Sequence, residues 1–525
     1  MRLSEVIARK KDHKALIILG MEHGLNLSPL QPLNELQQEI SRRLQDPAHL
    51  RAYIARLPQQ DLLGLKVAVM GGKGEAAPIP EYCHRKINEL QERKGTNGGR
   101  VIAELINRGL IFTGLDAWYR NTYIVPDEVR EAVLALTANE LGVDIPTRPL
   151  EPGTGRSALT LLSDLHLLLG WVKRQPLRIA RTSGLIFRRE QQRVVAYFNP
   201  PEKLPPATTN GYPIRLGVYL GFCRSHNLMG VWESDQGDLY LDCTPEATTW
   251  MTKSLDGQLK DISDYMKKGL ADPFPSLGNR LLALLGSLPE SKWLDCNSLA
   301  AELQRYAADP WYQVKHELDK ALLFMAVFDF LETTSSGTDN DSFLIRLTRT
   351  GRHLYHGTVP DITEENTFLV QPNYEILVPR ELNPALRWFL DTFTDLVKND
   401  QMVVLRLTRE SVYRAFKNGE DVSILLPFLG AHSRAPLPDN VIYSLREWSD
   451  RCGAMYLEQP LLLTCRTPEQ AAEIAADPRF VPYLQGNLTP RHLIVIPDLY
   501  PEFLAALEKA GHMPFPRIAR DYQPK

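Results

Sequence analysis

The sequence predicts an α+β protein, and two observations on its 525 residues lead to this prediction. Three times, helical segments lead into two short apolar runs separated by a polar, Gly-containing turn. After residue 357 the pattern changes, and short extended runs alternate with helical segments. Helices followed by a two-stranded hairpin have the order of a winged helix, and alternating strands and helices indicate a compact α/β unit. We therefore expect tandem winged-helix-like units followed by a compact α/β C-terminal domain.

The three hairpins are predicted by turn residues that lie between two strand-like runs. We expect them over residues 109–126, 228–241 and 327–347. Before the second and third hairpins, apolar residues recur at spacings of three and four, which places them on one face of a helix. These residues are Leu162, Leu165, Leu169 and Val172 before the second hairpin, and Leu281, Leu284, Leu285 and Leu288 before the third.

Pro- and Gly-rich breaks between the repeats divide the chain into five parts. An N-terminal helical segment covers residues 1–49. Winged-helix-like units 1, 2 and 3 cover residues 50–143, 156–255 and 278–357. Their spacing of roughly 100 residues suits independent small domains. The C-terminal domain is expected over residues 361–525.

Helix starts within the C-terminal domain are marked by capping residues. Asn383 followed by Pro384 supplies an N-cap and a first helical residue, and Thr408 is a second N-cap. Phe389 and Phe393 follow the first cap at helical spacing. We expect these rings to lie in the core.

Charge is balanced over the whole chain but not along it. The 60 Lys and Arg residues face 63 Asp and Glu residues, so the chain has no overall basic excess with which to hold nucleic acid. Between residues 361 and 525, 17 Lys and Arg residues face 22 Asp and Glu residues. This acidic C-terminal domain is a poor phosphate-binding surface, which favours protein contact there.

The densest basic segment covers residues 171–193 in unit 2, where seven cations accompany one acid, Glu190. Guanidinium groups bind phosphate oxygens well, and such contacts set affinity without reading sequence. We interpret the segment as a nucleic-acid contact. A solvated face with cations at a helix C-terminus and a site for an acidic protein partner remain as alternatives. The seven residues are Lys173, Arg174, Arg178, Arg181, Arg188, Arg189 and Arg193.

The last helix before each hairpin would face the DNA groove in a winged helix. Unit 1 places Arg100 and Arg108 on or beside this helix, and unit 2 places Arg215 and Arg224 there. Arg120 is the cation of the first hairpin loop. All five are candidate nucleic-acid contacts. The alternative is that these units bind only proteins, as many winged helices do.

The residues give no reason to expect catalysis. The chain contains no G-x-x-x-x-G-K-[ST] phosphate loop, no G-x-S-x-G elbow and no H-E-x-x-H motif. Its six cysteines include no C-x-x-C pair, which argues against a disulfide framework and a structural zinc site. We expect no enzyme activity, no cofactor and no metal. The N-terminus lacks the apolar core of a signal peptide and no apolar run is long enough to cross a bilayer, so we expect a cytoplasmic protein without membrane contact.

The C-terminal domain resembles a known family over residues of about 361–515. The resemblance rests on four segments: FLVQPNYEILVP from Phe368, VLRLTRESVYRAFKNGED, PLPDNVIYSLREWSDRCG, and LLLTC from Leu461. Together they resemble the helicase-associated domain found in the N-terminal region of XPB-type DNA helicases. The overall order of winged helices followed by this domain is also similar to the TFIIH subunit that partners XPB. The resemblance implies a non-motor protein that contacts a helicase.

These observations lead to one leading hypothesis and two alternatives. The leading hypothesis is a non-catalytic, DNA-associated protein that positions or regulates a helicase, or a nuclease, supplied by another chain. Its DNA would be double-stranded or forked. The first alternative is a protein-interaction scaffold that regulates a helicase without touching nucleic acid. The least favoured is a winged-helix transcription regulator, which would need sequence-selective contacts from Arg100, Arg215 or Arg224.

Overall fold

The computed structural model has an α+β fold whose strand pairs, within the described residues, are antiparallel. It forms two compact bodies, an N-terminal body (Met1–Arg446) and a C-terminal body (Glu447–Lys525). The helices of the described part are too short or too polar to cross a bilayer. The structure describes residues 1–71, 79–91, 97–115, 120–144, 158–204, 211–271, 277–307, 310–335, 343–358 and 362–518.

The chain begins with four helices, of which the fourth extends into the range predicted for unit 1. Asp12 and Asp46 cap the second and fourth helices by accepting hydrogen bonds from backbone N–H groups, as residues with short carboxylate side chains do at helix starts. Leu36 and Ile40 are buried on one face of the third helix. The four helices are α1 (Leu3–Ala8), α2 (His13–Glu22), α3 (Leu33–Leu44) and α4 (Pro47–Ala55).

Unit 1 contains the predicted hairpin, three helices before it, and one helix and a short strand after it. The strands pair from Phe112 opposite Ile124 to Leu115 opposite Asn121. Residues 116–119 of the expected turn lie outside the described residues. The elements are α5 (Gln59–Met70), α6 (Pro80–Leu90), α7 (Gly98–Asn107), β1 (Phe112–Leu115) and β2 (Asn121–Ile124), followed by α8 (Asp127–Leu141) and β3 (Gly142–Asp144).

Unit 2 has the order helix, strand, helix, helix, strand, strand. The predicted hairpin is present, and a short strand that the sequence analysis does not predict joins its edge, so the sheet order is β4-β6-β5. The leucines predicted to share a helix face, Leu162, Leu165 and Leu169, are all fully buried. The elements are α9 (Ala158–Arg174), β4 (Leu177–Ile179), α10 (Arg188–Val195), α11 (Ile214–Ser225), β5 (Met229–Glu233) and β6 (Leu239–Cys243), then α12 (Pro245–Met251) and α13 (Leu255–Ala271).

Unit 3 repeats this order and has its predicted hairpin, of which residues 336–342 lie outside the described part. Its sheet has the order β3-β7-β9-β8, so strand β3 from the end of unit 1 completes it. Helix α14 also packs against α8. Units 1 and 3 therefore share a sheet and a helix interface instead of standing as independent domains. The elements are α14 (Gly278–Ser287), β7 (Lys292–Asp295), α15 (Cys296–Tyr306), α16 (Trp311–Val327), β8 (Leu331–Ser335), β9 (Phe343–Leu347) and α17 (Arg349–Tyr355).

The remainder of the N-terminal body is built on a four-stranded sheet of order β10-β11-β13-β12. Asn383 and Thr408 cap helices as predicted, accepting hydrogen bonds from the N–H groups of Ala385 and Ser411. Phe393 is buried. The elements are β10 (Leu369–Val370), β11 (Glu375–Val378), α18 (Pro384–Phe393), β12 (Asp395–Asn399), β13 (Val403–Arg406), α19 (Arg409–Lys417), a 3-10 turn (Val422–Ile424), α20 (Leu425–His432) and α21 (Asp439–Arg451).

The C-terminal body has a core of its own between a three-stranded sheet of order β14-β16-β15 and two helices. Phe480, Leu493 and Phe503 are buried in it. Residues 362–446 belong to the N-terminal body, while the following segment closes a separate core, so the range predicted as one C-terminal domain is divided between the two bodies. The elements are β14 (Leu461–Thr464), α22 (Pro468–Ala476), β15 (Leu484–Thr489), β16 (His492–Val495) and α23 (Tyr500–Lys509).

Candidate nucleic-acid interface

The basic segment over 171–193 runs from the end of α9 through β4 to the end of α10. Its seven cations do not share one surface. Two of them point into the interior, two are held by acids of the unit 2 hairpin, and three lie exposed along α10.

Lys173 and Arg174 join α9 to α18. The ammonium of Lys173 donates to the Trp388 carbonyl at 3.1 Å and lies 4.2 Å from the centre of the Trp388 ring. The guanidinium of Arg174 lies 2.6 Å from a carboxylate oxygen of Asp391, and both side chains are buried. Burial lowers the pKa of Lys173, whereas the neighbouring carboxylate of Asp391 opposes this shift. Arg174 is buried and Lys173 is half-buried, and both are engaged by groups of α18, so they connect two helices instead of forming an open basic surface.

Asp391 is the centre of this buried cluster. A second guanidinium, that of Arg387, lies 3.1 Å from its other carboxylate oxygen. Burial alone would raise the pKa of Asp391, but the charges of Arg387 and Arg174 outweigh it, so the pKa lies below its ordinary value. Gly170 on α9 lets the two helices approach, because a Cβ atom there would come within 2.5 Å of the Asp391 carboxylate.

Arg178 and Arg181 are exposed but carry acidic partners from the hairpin. Arg178 lies 2.5 Å from a carboxylate oxygen of Asp238. Arg181 pairs with Glu233 and also donates to the Gly237 carbonyl at 2.7 Å. Ion pairs between exposed groups are weak, so a phosphate could replace these acids at small cost.

The three arginines of α10 form the most open basic surface of the segment. Arg188, Arg189 and Arg193 are exposed, and the guanidinium of Arg193 lies 5.8 Å from the centre of the Trp171 ring. Within the described ranges, neither Arg189 nor Arg193 forms an ion pair. The one acid of the segment, Glu190, turns toward β4 and accepts a hydrogen bond from the Arg178 backbone N–H at 2.7 Å. We call Arg188, Arg189 and Arg193 the α10 arginines.

The five candidates on the groove-facing helices and the first hairpin loop also divide into internal and exposed groups. Arg215 is buried, and its guanidinium lies 3.2 Å from the buried carboxylate of Asp164. Arg108 lies 2.6 Å from Glu22 and 3.5 Å from the buried carboxylate of Asp61. The exposed candidates are Arg100, Arg120 and Arg224.

Helix α11, predicted to be the groove-facing helix of unit 2, is covered by other elements. It packs against α16, and the buried Phe222 ring meets the Tyr265 ring of α13 edge to face at 5.4 Å. Arg224 is the exposed cation of this helix, at its C-terminal end. In unit 2 the sheet and α10 are therefore more exposed to solvent than α11.

Two aromatic residues of the second hairpin lie on the surface beside the basic segment. Trp232 is 44% exposed, and its ring stacks on that of Tyr240 with centres 5.0 Å apart. The basic run alone does not point to them. The sequence could have indicated them, because Trp232 and Tyr240 lie on the two sides of the ESDQG turn. Residues that pair across a hairpin point to the same face of the sheet.

The described residues contain no group of three or more His, Cys, Asp or Glu side chains placed to hold a metal ion. Burial raises the pKa of the Cys83 thiol to about 12 and also raises that of the Cys223 thiol. Thiols with raised pKa values are poor nucleophiles and poor metal ligands at neutral pH.

Part of the chain matches a known family model. Residues 368–488 match the model of the helicase conserved C-terminal domain, from the strand that starts the four-stranded sheet into β15 of the C-terminal body. No curated protein matches the chain. The match supports the helicase-associated C-terminal domain that the sequence predicts, and it indicates a helicase-related function.

Proposed function

We propose that this protein is a non-catalytic, DNA-associated factor that positions or regulates a helicase supplied by another chain. The observation that carries the proposal is the helicase C-terminal domain match over residues 368–488 in a chain without a phosphate-loop motif. A motor needs that loop to hold the nucleotide phosphates and Mg²⁺. The partner would be an XPB-type helicase, as the resemblance of the C-terminal segments implies.

Unit 2 contributes the main contact with DNA in this proposal. It has the helix, strand, helix, helix, strand, strand order of winged helices. The α10 arginines give unit 2 a basic surface that is open to phosphate. Contacts of this kind position a protein on the duplex without reading its sequence, and they suit a factor that must hold forked DNA of any sequence.

The experiment is a DNA-binding assay with the full chain at 50 and 200 mM salt. Reversal of the α10 arginines to Glu should remove most of the affinity for duplex DNA. It should also make the slope of log affinity against log salt shallower by about 2–3, since each phosphate contact contributes about 0.9. Arg42→Glu with Arg51→Glu and Arg56→Glu is the matched control, because it makes the same charge change on exposed residues of the N-terminal helices.

Three outcomes would contradict the proposal. The first is the absence of DNA binding by the wild-type chain at 50 mM salt. The second is an equal loss of affinity in the α10 and control variants, because this would mean that DNA binding depends on the net charge of the chain and not on the α10 surface. The third is ATP hydrolysis by the purified chain alone, which would contradict the non-catalytic part.

A protein-interaction scaffold without DNA contact is the second candidate, and two observations favour it. Helix α11, which would face the groove in a winged helix, packs against α16. In the C-terminal body, Met455, Tyr456 and Leu457 are at least 82% exposed, and consecutive apolar side chains in water are typical of interaction surfaces. In this case the α10 reversal would leave helicase stimulation unchanged. The transcription regulator is less well supported, because Arg215 is buried.

A further inference from the structure

The outer face of the unit 2 sheet carries a row of aromatic and cationic side chains. Trp232 on β5 lies opposite Tyr240 on β6, and Tyr240 lies opposite Arg178 on β4. Paired residues share a face of the sheet, and successive residues alternate between faces. Because Leu177 and Leu241 are buried on the inner face, the row from Trp232 to Arg178 lies on the outer face.

This row is open to solvent. Trp232 is 44% exposed and the Arg178 side chain is 48% exposed. The row continues beyond β4, because the Arg178 guanidinium lies 5.5 Å from the centre of the Phe187 ring, which is 42% exposed. Neighbouring strands are about 4.8 Å apart, so the three strands alone span roughly 10 Å. We call Trp232, Tyr240, Arg178 and Phe187 the aromatic row.

Charge beside the row is arranged asymmetrically. Phe187 is the N-cap of α10, so the α10 arginines begin at the residue after the last ring. On α10 itself, the one acid, Glu190, accepts a hydrogen bond from the Arg178 backbone N–H. Further acidic residues lie on the hairpin turn and the adjoining strand ends. These are Glu233, Asp238 and Asp242, of which the first two already pair with Arg181 and Arg178. A negatively charged backbone would therefore follow α10, while the bases reach over the sheet.

We propose that the aromatic row is a stacking platform for unpaired nucleotides, which makes single-stranded DNA the ligand of this face. This inference rests on the proposed function and specifies that the DNA bound at this face is single-stranded. Unpaired bases expose both ring faces and stack on aromatic side chains, whereas bases in a duplex are already stacked. The α10 arginines supply the charge that matches the phosphate backbone, which favours a nucleic acid over an apolar protein segment as the occupant.

Unpaired nucleotides at this face fit the geometry of a fork. A factor that holds a helicase at a fork meets both duplex and single strands, and the aromatic row lies on the same unit as the basic helix. Stacking tolerates any base, because every base has a π face. The platform would therefore hold a displaced strand irrespective of its sequence.

The test measures binding of the full chain to a fluorescent dT12 oligonucleotide and to a blunt duplex. Trp232→Ala should weaken dT12 binding by about 5- to 150-fold, the range for loss of one base–aromatic stack, and should leave duplex affinity unchanged. Trp232→Phe should retain most of the dT12 affinity, since it keeps an aromatic face. Trp311→Ala is the matched control, because this tryptophan is 46% exposed and lies on α16.

The outcomes separate this inference from the proposed function. Equal dT12 affinities for Trp232→Ala and Trp311→Ala would overturn the platform, and so would duplex binding by a wild-type chain that does not bind dT12. In both cases the proposed function stands if reversal of the α10 arginines still removes duplex binding. Failure to bind either ligand at 50 mM salt overturns both. An equal Trp232→Ala effect on rU12 supports the platform and shows that it does not distinguish ribose from deoxyribose.

Discussion

Removal of the buried Asp391 carboxylate should strongly lower the stability of the N-terminal body. It lies between two guanidinium groups, those of Arg174 and Arg387, and all three side chains are at most 7% exposed. Asp391→Asn retains the shape of the side chain but removes its charge. Two buried cations then lose their counter-ion, and α9 and α18 lose their strongest polar connection.

Removing one partner of a buried ion pair costs about 3–5 kcal/mol, because the remaining charge stays buried without compensation. The amide of Asn can still accept one hydrogen bond, so we expect about 3 kcal/mol. The unfolding entropy is about 2.1 cal/mol/K per residue, which gives roughly 0.9 kcal/mol/K for the N-terminal body. The melting temperature should therefore fall by about 3 °C.

Calorimetry of wild type, Asp391→Asn and a control measures this difference. The control is Glu365→Gln, which neutralises a pair with Arg434 whose two side chains are 43% and 52% exposed and should lower the melting temperature by about 1 °C or less. Equal melting temperatures for the two variants at pH 7 would refute the reasoning.

The effect of Asp391 should also depend on pH in one direction. Its pKa in the folded protein lies below the ordinary value of 3.8, so its contribution is complete above pH 3.8 and is lost as the pH falls through the folded value. The difference between wild type and Asp391→Asn should therefore be constant from pH 7 to about 5 and narrow below about 4. A difference that widens on acidification would contradict this sign.

Three further predictions concern other buried groups. Arg108→Ala should destabilise the protein by about 1–3 kcal/mol, since the carboxylate of Asp61 stays buried, yet leave DNA affinity unchanged; weaker DNA binding with normal melting would contradict this internal role. Burial lowers the pKa of His166 to about 4 from 6.5, so wild-type stability should fall by up to about 3 kcal/mol between pH 6.5 and 4. Urea unfolding of His166→Gln should lack this loss. Gly170→Ala should cost about 1–3 kcal/mol in the same assay, because its Cβ would meet the buried carboxylate, whereas Gly430→Ala, which has open space, should not destabilise.

The sequence predicts the elements whose signals are local. Hairpins, caps and apolar helix faces depend on residues within a few positions of one another, so Asn383, Thr408 and the leucines of α9 are assigned correctly. Strands β4 and β7 escape prediction, because three or four residues are too few to show an alternating pattern. Sheet edges supplied from another part of the chain, such as β3 in unit 3, have no local signal at all.

The roles of the cations are less predictable than the fold. Arg174 and Asp391 are 217 residues apart in sequence, and Arg215 meets Asp164 across 51 residues. A basic run therefore cannot be divided into internal and exposed cations before the partners are known. Arg174 is buried because α18 packs against α9. The charge pattern of the basic segment gives no information about this packing.

The buried cations of the basic segment connect unit 2 to the helicase-like region. Helix α18 lies within the region that matches the helicase C-terminal domain, and Asp391 joins it to the end of α9. Strand β4, which carries Arg178 of the aromatic row, begins three residues after Arg174. A second buried connection runs from Asn399 on β12 to Asp164 on α9 at 3.0 Å. Both connections are buried, so α9 and the start of β4 are anchored directly to the part of the helicase-like region that lies in the N-terminal body.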